Sequence, residues 1–316
     1  MLDVITIGDA LVTFNPTSKG PMRFVHSFER KVGGAELNLA IGCARLGLRT
    51  GWISALGNDE FGKHILHFAR GEGIDTTEVK LVDGHPTSIY FKEILEDGTG
   101  RNFYYRNNSP TLTMTPESLN ASYIQHAKIL HITGVFSAIH DQNPSILKHA
   151  IKTAKDHGLL VSLDPNIRLK LWSKEKAKET LLSYLPHTDI LLTGDEEAEL
   201  LFGTSTDEGI QLACKAFGIE TIAIKKGERG AAAFHKGEYV KANPVPAKKV
   251  VDTVGAGDGF NAGFLYGFLQ NWDLQKTLKL AATIGSMVVS VSGDNEGLPF
   301  LEDVQVQLGE KKQIER

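Results

Sequence analysis

The sequence predicts an α/β protein with a mostly parallel central sheet and a small β-sheet lid. Short apolar runs rich in Val, Ile and Leu alternate with amphipathic segments along most of the chain, which is typical of βαβ units on a parallel sheet. Two stretches, 11–31 and 87–107, break this alternation and predict the second sheet. With 316 residues, 41% of them hydrophobic, and no internal repeat or long linker, the chain is expected to form a single domain over residues 1–316.

Six short apolar runs predict the strands of the central sheet. They are Val4–Ile7, Thr50–Ala55, Ile129–Ile132, Leu159–Leu163, Ile190–Leu192 and Thr221–Lys225. Ligands of open parallel sheets bind beyond the carboxyl ends of the strands. We therefore expect the polar residues that follow these runs to converge on one edge of the sheet.

Amphipathic segments between the strands predict the helices that cover the sheet. They are Ala35–Leu46, Glu60–Glu72, Pro144–His157, Lys174–Tyr184, Asp195–Phe202 and Asp207–Phe217, with a further helix opening at Gly255 and running to about Gln270.

The lid is predicted from the stretch Thr87–Tyr105, together with Leu11–Lys31. Ser88–Ile94 and Arg101–Tyr105 flank Asp97-Gly98-Thr99-Gly100, which favours a β-hairpin with a glycine-containing turn. A small antiparallel insertion in a parallel protein often closes over the ligand. The alternative is an edge hairpin that only packs against the domain.

Composition and charge exclude several classes of function. The net charge of -4, the pI near 6.3 and the lack of a Lys/Arg-rich block give no basic surface for nucleic acid. Every apolar run is shorter than the roughly 18–20 residues that cross a membrane. The first residues read as a buried strand and lack the basic start of a signal peptide, which favours the cytoplasm. Cys43 and Cys214 lie in apolar helical patterns and are expected to be small core residues.

The segment Gly255-Ala256-Gly257-Asp258 carries the strongest chemical signal. It follows an extended run and opens a helix, so its small residues leave backbone N–H groups free at a positive helix end, where an anion binds. Asp258 beside that hole would repel phosphate but can accept a proton from an alcohol. The helix dipole is expected to keep it ionised at neutral pH. The alternative reading of Asp258 is a helix N-cap.

Four segments together resemble the ribokinase-like (PfkB) carbohydrate kinases. They are DTVGAGDGF at 252–260, GGAELNLA at 33–40, LGNDEFG at 56–62 and DPN at 164–166. The resemblance covers essentially the whole chain and implies a three-layer domain with a β-sheet lid, ATP with Mg²⁺, and in-line transfer to a primary hydroxyl. It assigns Asp258 as the base and Gly255, Ala256 and Gly257 as donors to the transferring phosphoryl group.

The resemblance extends to the nucleotide side of the site. It implies that Lys225, Gly227 and Gly230 lie around ATP and that Asn166 faces the phosphates. Glu197 matches the acidic end of an Asn-x-x-Glu motif that organises magnesium through water, although Gly194 stands where the family has Asn. Read alone, the first group is a charged turn and Glu197 belongs to an acidic helix start.

Three further segments resemble the branch of this family that phosphorylates 2-keto-3-deoxygluconate. They are Tyr104-Tyr105-Arg106, Asn166-Ile167-Arg168 and GDNEGLP at 293–299. The acceptor of that branch is an acidic sugar, whose carboxylate Arg106 and Arg168 would bind through bidentate hydrogen bonds. The remaining acceptor contacts predicted are Gly34, Tyr90, Tyr104, Tyr105 and Asp294, with Asp9 and Asn38 lining the pocket. Alternatively, Arg106 is a surface residue and Tyr90 with Tyr104 a cross-strand pair that holds the hairpin.

The leading hypothesis is ATP-dependent phosphorylation of the 6-hydroxyl of 2-keto-3-deoxygluconate. A fructokinase or another neutral-sugar kinase is the alternative, and a nucleotide-regulated binding protein that has lost catalysis is a third possibility. The resemblance also suggests a monovalent cation, since Asp252 and Thr253 match part of such a site. Exposed edges of the lid suggest a homodimer in which the two lids cover one another.

Overall fold

The computed structural model describes residues 1–97, 99–247 and 249–311. Its strands, in chain order, are β1 Leu2–Ile7, β2 Leu11–Pro16, β3 Phe28–Gly33, β4 Thr50–Gly57, β5 Val79–Val82, β6 Ser88–Ile94, β7 Gly100–Tyr105, β8 Ala127–Thr133, β9 Leu160–Asp164, β10 Ile190–Gly194, β11 Thr221–Lys225, β12 Ala231–His235 and β13 Glu238–Ala242. The helices are α1 Ala35–Arg45, α2 Glu60–Gly71, α3 Ala121–Ile124, α4 Gly134–Ile139, α5 Asn143–Asp156, α6 Lys174–Leu182, α7 Asp195–Phe202, α8 Asp207–Lys215, α9 Ala256–Leu269, α10 Leu274–Val288 and α11 Leu301–Gln307.

Nine strands form the central sheet in the order β13-β12-β11-β10-β9-β8-β1-β4-β5. All neighbours from β11 to β5 pair in parallel, and β12 and β13 add an antiparallel edge. The predicted strands and helices all form, with ends within about two residues of those expected. The strands β5, β12 and β13 and the helices α3, α4, α10 and α11 were not predicted.

Two apolar cores, one on each face of the central sheet, make the domain three-layered. One core joins the sheet to α1, α2, α9 and α10 and contains Trp52 and Phe264. The other joins the sheet to α4, α5, α6, α7 and α8 and contains Phe136 and Tyr184. Strands buried on both faces read as continuous apolar runs, which is why the sequence predicted them well. The predicted fold class is confirmed.

A separate four-stranded sheet has the order β3-β2-β6-β7. β6 and β7 form the predicted antiparallel hairpin, whose turn residue Gly98 lies outside the described residues. β2 and β6 pair in parallel, so the two insertions into the domain join in one sheet. That this sheet is the lid of a single-domain protein stays a prediction.

Within the described ranges, the longest apolar helical stretch falls short of what a membrane-spanning helix requires.

Candidate active site

The N-termini of α9 and α1 meet the carboxyl ends of the parallel strands beneath the four-stranded sheet. Gly255 is the N-cap of α9 and adopts a left-handed backbone, with φ of 78°. A Cβ at this position would also collide with the backbone oxygen of Asp294, so only glycine allows the two segments to come this close. The first N–H groups of α9 have no acceptor within the helix, although that of Ala256 donates to the carbonyl oxygen of Thr253 at 3.4 Å. That these groups form an anion hole stays a prediction.

Asp258 lies in the first turn of α9 and is 8% exposed. Its Oδ2 atom accepts a hydrogen bond of 2.9 Å from Nδ2 of Asn38 on α1. Burial raises the pKa of Asp258 to about 7, although the Asn38 bond and the charges of Arg168 and Lys225 act in the opposite direction. The helix dipole was expected to keep Asp258 ionised at neutral pH, but with a pKa of about 7 it is only partly ionised there, because burial disfavours the charged form. A base with a pKa near 7 can accept and release a proton at neutral pH.

Lys225 provides a fixed positive charge beside the anion hole. It ends β11, and its Nζ atom donates to Asp164 Oδ2 at 2.9 Å and to Asn261 Oδ1 at 3.4 Å. Asn261 also donates to Asp164 Oδ2, at 2.6 Å. A Cβ at Gly257 would lie 3.8 Å from the same Nζ atom. The ammonium group is thus held close to the first turn of α9.

The charges of this cluster stabilise one another. Burial alone would lower the pKa of Lys225, but Asp164 and Glu197 raise it, so the lysine is charged at neutral pH. Burial alone would raise the pKa of Asp164, but Lys225 lowers it. Glu197 has a raised pKa because it is buried and lies near Asp164.

The four-stranded sheet contributes the opposite wall of the site. The hydroxyl of Tyr90 on β6 donates to Asp294 Oδ1 at 3.1 Å, and the ring of Tyr90 lies 5.1 Å from that of Tyr104 on β7. Gly33 allows this arrangement, since a Cβ there would collide with the Asp294 carboxylate. Burial raises the pKa of Asp294 to about 6.

Arg106 and Asp9 face each other with unused hydrogen-bonding capacity. Nη2 of Arg106 lies 3.8 Å from Asp9 Oδ2, and the guanidinium carbon lies 5.4 Å from the centre of the Tyr104 ring. The Nε atom of Arg106 and the Oδ1 atom of Asp9 are buried without a hydrogen-bond partner among the described residues. Burial raises the pKa of Asp9 to about 6, against the effect of Arg106. Unpaired buried polar atoms of opposite polarity are typical of a site that completes its bonds on a ligand.

Comparison with protein-family models matches residues 1–301 to the pfkB family carbohydrate kinases. The chain belongs to this family. The predicted membership is therefore confirmed, and with it the class of enzyme, a carbohydrate kinase.

Curated relatives of this kinase include two that are named 2-dehydro-3-deoxygluconokinase. One, from Bacillus subtilis (strain 168), is 34% identical over 99% of this chain and 97% of its own length. The other, from Thermoproteus tenax, is 32% identical over 95% of this chain and 92% of its own. A relative from Shouchella clausii named 5-dehydro-2-deoxygluconokinase is 32% identical over 98% of this chain and 96% of its own.

Solved structures of two kinases superpose closely. A PfkB protein from Polaromonas sp. JS666 has a TM-score of 0.89 at 31% identity and covers 96% of this chain and 99% of its own. A protein from E. coli described as a putative ribokinase II, in complex with ATP and Mg²⁺, has a TM-score of 0.91 at 24% identity and covers 98% of this chain and 100% of its own. The second comparison concerns the fold alone.

Several predicted site residues of this kinase follow strands whose carboxyl ends are close together in the central sheet. Gly34 is the N-cap of α1 and lies against the backbone of Asp9. Arg168 is exposed and acts electrostatically on Asp258. Asn166 follows β9 with a positive φ of 35°, and Gly227 and Gly230 flank a short turn after β11.

Tyr105 does not join the others. Neighbouring residues of a strand point to opposite faces, so Tyr104 faces Tyr90 whereas Tyr105 contacts Phe91 on the outer face, with ring centres 6.1 Å apart. Its prediction as an acceptor contact is inconsistent with this placement.

Glu197 is oriented by the backbone. Its Oε1 and Oε2 atoms accept hydrogen bonds of 2.8 Å from the N–H groups of Ile167 and Gly194. The bond from Gly194, the N-cap of α7, is that of an acidic residue in the first turn of a helix, which was the alternative interpretation of Glu197. Each oxygen keeps a further lone pair for a water molecule. Among the described residues no group of three acidic, His or Cys side chains could hold a metal ion.

Sequence reasoning missed three contacts of the site. Asn261 follows Asp258 by three positions and so shares its helix face, a signal that was available. Lys92 on β6 binds Asp252 Oδ2 at 2.5 Å and ties the small sheet to the segment before the anion hole. The third contact is that of the buried Glu36, which accepts a hydrogen bond from the hydroxyl of Thr133. Burial raises the pKa of Glu36 to about 7. The last two pairs are far apart in sequence and have no local signature.

Proposed function

We propose that this kinase transfers the γ-phosphoryl group of ATP to the 6-hydroxyl of 2-dehydro-3-deoxygluconate, also called 2-keto-3-deoxygluconate. The observation that carries the reaction type is the buried Asp258 at the anion hole, with a pKa of about 7. The acceptor rests on the two relatives with this name, at 34% and 32% identity. It also rests on the Arg106 and Arg168 side chains, which supply positive charge where the substrate carries a carboxylate.

In the proposed reaction, the acceptor hydroxyl lies near Asp258. The phosphate end of the site is formed by the N-terminus of α9 and Lys225. The hydroxyl oxygen attacks the γ-phosphorus, the hydroxyl proton passes to an oxygen of Asp258, and the bond from the γ-phosphorus to the bridging oxygen of ADP breaks. N–H groups of Ala256 and Gly257 and the ammonium of Lys225 stabilise negative charge on the transferring group. Asp258 then releases its proton, which a pKa near 7 permits at neutral pH.

Mg²⁺ would neutralise charge on the ATP phosphates when bound. The residues present suit a metal held mainly by phosphate oxygens, with Glu197 contributing through water, since that carboxylate is oriented and keeps free lone pairs. Asn166, Gly227 and Gly230 are proposed to line the nucleotide side.

The acceptor pocket would bind both the carboxylate and the hydroxyl groups of the sugar acid. Arg106 has an Nε–H without a partner among the described residues, and Arg168 is exposed and acts on Asp258, so both are proposed to bond the substrate carboxylate. Oδ1 of Asp9 and the Asp294 carboxylate would accept from sugar hydroxyls, while Tyr90, Tyr104 and the backbone at Gly34 shape the pocket.

Steady-state assays with a panel of acceptors test this proposal. We expect kcat/KM to be highest for 2-dehydro-3-deoxygluconate and far lower for fructose and ribose. Equal or higher kcat/KM with fructose would favour the neutral-sugar alternative. ATP binding without turnover of any acceptor would favour a binding protein.

A second candidate acceptor is 5-dehydro-2-deoxygluconate, which the Shouchella clausii relative suggests. Both acids carry a carboxylate at C1 and a primary alcohol at C6, so the arginine pair and Asp258 serve either one. They differ in the positions of the ketone and of the carbon that lacks a hydroxyl. A higher kcat/KM with the 5-dehydro acid would move the proposal to that isomer.

Any monovalent cation at Asp252 and Thr253 is proposed to bind through neighbouring backbone oxygens. Oδ2 of Asp252 already accepts from Lys92, and its Oδ1 accepts from the N–H of Val254 at 3.2 Å. Equal kcat in potassium and in tetramethylammonium buffers would contradict a cation site here.

A homodimer through the outer face of the small sheet is proposed as the assembly. This face carries Phe91 stacked on Phe14, with ring centres 4.7 Å apart, and Tyr105, which is 60% exposed. We expect Tyr105→Asp to shift the molar mass from dimer to monomer by light scattering. Leu212→Asp, at a 72% exposed position elsewhere, is the control and should leave the mass unchanged.

We further propose that the reaction takes place in the cytoplasm, which supplies ATP and keeps thiols reduced. Cys43 and Cys214 are both free and buried, which agrees with such a compartment.

A further inference from the structure

Two buried asparagines form a hydrogen-bonded chain that ends on Asp258. Nδ2 of Asn295 donates to Oδ1 of Asn38 at 3.4 Å, and Nδ2 of Asn38 donates to Asp258 Oδ2 at 2.9 Å. Asn295 is 1% exposed and Asn38 is 2% exposed. The three residues come from the segment after α10, from α1 and from α9, more than 200 positions apart for each link.

The orientation of both amides is fixed by a backbone acceptor. Nδ2 of Asn295 also donates to the carbonyl oxygen of Val32 on β3, at 2.6 Å. A carbonyl oxygen can only accept, so Asn295 must turn its NH₂ group toward Val32 and toward Asn38. Asn38 must then turn its oxygen toward Asn295 and its NH₂ group toward Asp258.

This arrangement discriminates between the two protonation states of the base. An ionised carboxylate only accepts hydrogen bonds, so it matches the NH₂ group of Asn38. A protonated Asp258 could still accept through its carbonyl oxygen, but that bond is weaker because the acceptor carries no charge. Its O–H could not donate to Asn38, whose oxygen already accepts from Asn295. We propose that Asn38 and Asn295 are positioning residues that hold Asp258 in its ionised, proton-accepting form. The proposal deepens the proposed function, since it rests on Asp258 as the base.

Asn295 is itself held firmly. Nη1 of Arg45 donates to the backbone oxygens of Asn295 and Leu298, at 2.8 and 2.7 Å, and its other nitrogens bind both oxygens of Glu72. Arg45 therefore fixes the segment from which Asn295 reaches the base.

Four charged or titratable groups on the surrounding elements also act on Asp258. Asp164 on β9 raises its pKa, whereas Arg168 after β9 and Lys225 on β11 lower it. Glu36 on α1 interacts with it too, and each raises the pKa of the other when ionised. Asn38 is the group that touches the carboxylate directly, so removing it should have an effect that these charges do not cancel.

Direct titration of Asp258 tests the proposal without relying on turnover. Protein labelled with ¹³C at the aspartate carboxyls would be titrated by NMR, and the Asp258 signal assigned by its loss in Asp258→Asn. We expect Asn38→Ala to raise the Asp258 pKa by about one unit or more, since it removes a hydrogen bond that favours the charged form. Asn295→Ala should raise it in the same direction by less. Asn295→Asp should raise it by more, because it removes the same donor and also adds a negative charge near Asp258.

Asn143 offers a matched control. It is fully buried and its NH₂ group donates to the backbone oxygen of Phe136 at 2.7 Å, on the other face of the sheet. Asn143→Ala should lower Tm and leave the Asp258 titration unchanged. A shift in this variant equal to that of Asn295→Ala would mean that the effect is general destabilisation, and would overturn the proposal.

Activity provides a second readout that is separate from the identity of the acceptor. With whichever acceptor is turned over, the acid limb of kcat/KM should move to higher pH in the Asn38 and Asn295 variants. An Asp258 pKa unchanged in Asn295→Ala would overturn the role of Asn295. Failure to phosphorylate any acceptor would refute the proposed function and leave the titration result intact.

Discussion

The phosphate end and the acceptor end of the site differ in how completely their polar groups are paired. At the phosphate end, Lys225, Asp164 and Asn261 bond one another on a strand, a strand end and a helix of the main domain. At the acceptor end, Arg106 and Asp9 stand 3.8 Å apart with one unpartnered buried atom each.

This difference separates the reaction from the choice of substrate. A closed network on rigid elements fixes the position of a charge before ATP binds, which favours catalysis by preorganisation. Unpaired atoms gain their bonds only from a ligand of the right chemistry, and a ligand that leaves them unpaired is penalised. Under the proposed function, the phosphate end carries out the transfer and the acceptor end selects the sugar.

Removal of the proposed base should give the largest fall in kcat, because both the phosphoryl group and the acceptor hydroxyl are expected to meet at Asp258. We expect Asp258→Ala to lower kcat by about 10²- to 10⁴-fold with a modest change in KM, because only the transition state requires proton transfer. Asp273→Ala removes an aspartate at the start of α10 and is the control. An unchanged kcat in Asp258→Ala would exclude this residue as the base.

Replacing Lys225 by a neutral residue should impair phosphoryl transfer without changing the choice of acceptor. Lys225→Met is expected to lower kcat by about 10²- to 10³-fold with either acid or neutral acceptors, since it removes a preorganised charge. It should also lower Tm, because Asp164 is left buried without its partner.

The double variant Lys225→Met/Asp164→Asn separates these two effects. It should recover Tm and not kcat. Recovery of kcat as well would show that Lys225 acts only through stability.

Loss of an arginine should impair the acidic acceptor more than a neutral one. Arg168→Ala is expected to lower kcat/KM by about 10- to 100-fold for the acidic sugar, the loss of one charged hydrogen-bonding group. Activity with fructose should fall less, through the effect of Arg168 on the pKa of Asp258 alone, and KM for ATP should be unaffected. Equal losses for acidic and neutral acceptors would contradict a role in binding the carboxylate.

The smallest expected effect is a pH-dependent change in the thermal stability of an Asp258 variant. The folded pKa of Asp258, about 7, lies above the unfolded value of about 3.9, so the native state binds the extra proton between these values. Its contribution favours folding at low pH and is lost as pH rises through about 7. Asp258→Asn should therefore raise Tm by a few degrees at pH 8 and leave it almost unchanged at pH 4. Equal shifts at both pH values would contradict the raised pKa.

Buried strands and capped helices were predictable because their signals are local. Ile190–Gly194 is an apolar run, and Asp59 caps α2 by accepting from the N–H of Gly62, so both appear in the sequence itself. Helix α10 was missed although Leu274, Leu278 and Ala281 recur at helical spacing. The antiparallel edge was missed because Ala231–Ala233 gives no alternation of polar and apolar residues.

Within the site, motif residues were predictable and their environments were not. Gly255 to Asp258 form a contiguous motif, whereas the partner of Asp258, Asn38, is 220 positions away. The pKa of Asp258 depends on how many surrounding atoms exclude water, which the dipole of its own helix does not reveal. The error at Tyr105 was avoidable, since strand alternation separates it from Tyr104.

The pairing of β2 with β6 has a consequence for synthesis of the chain. All four strands of the small sheet are complete at Tyr105, whereas Asp294, which accepts from Tyr90, and Asp252, which accepts from Lys92, are translated much later. The contacts that join this sheet to the rest of the site can therefore form only when nearly all of the protein has been made.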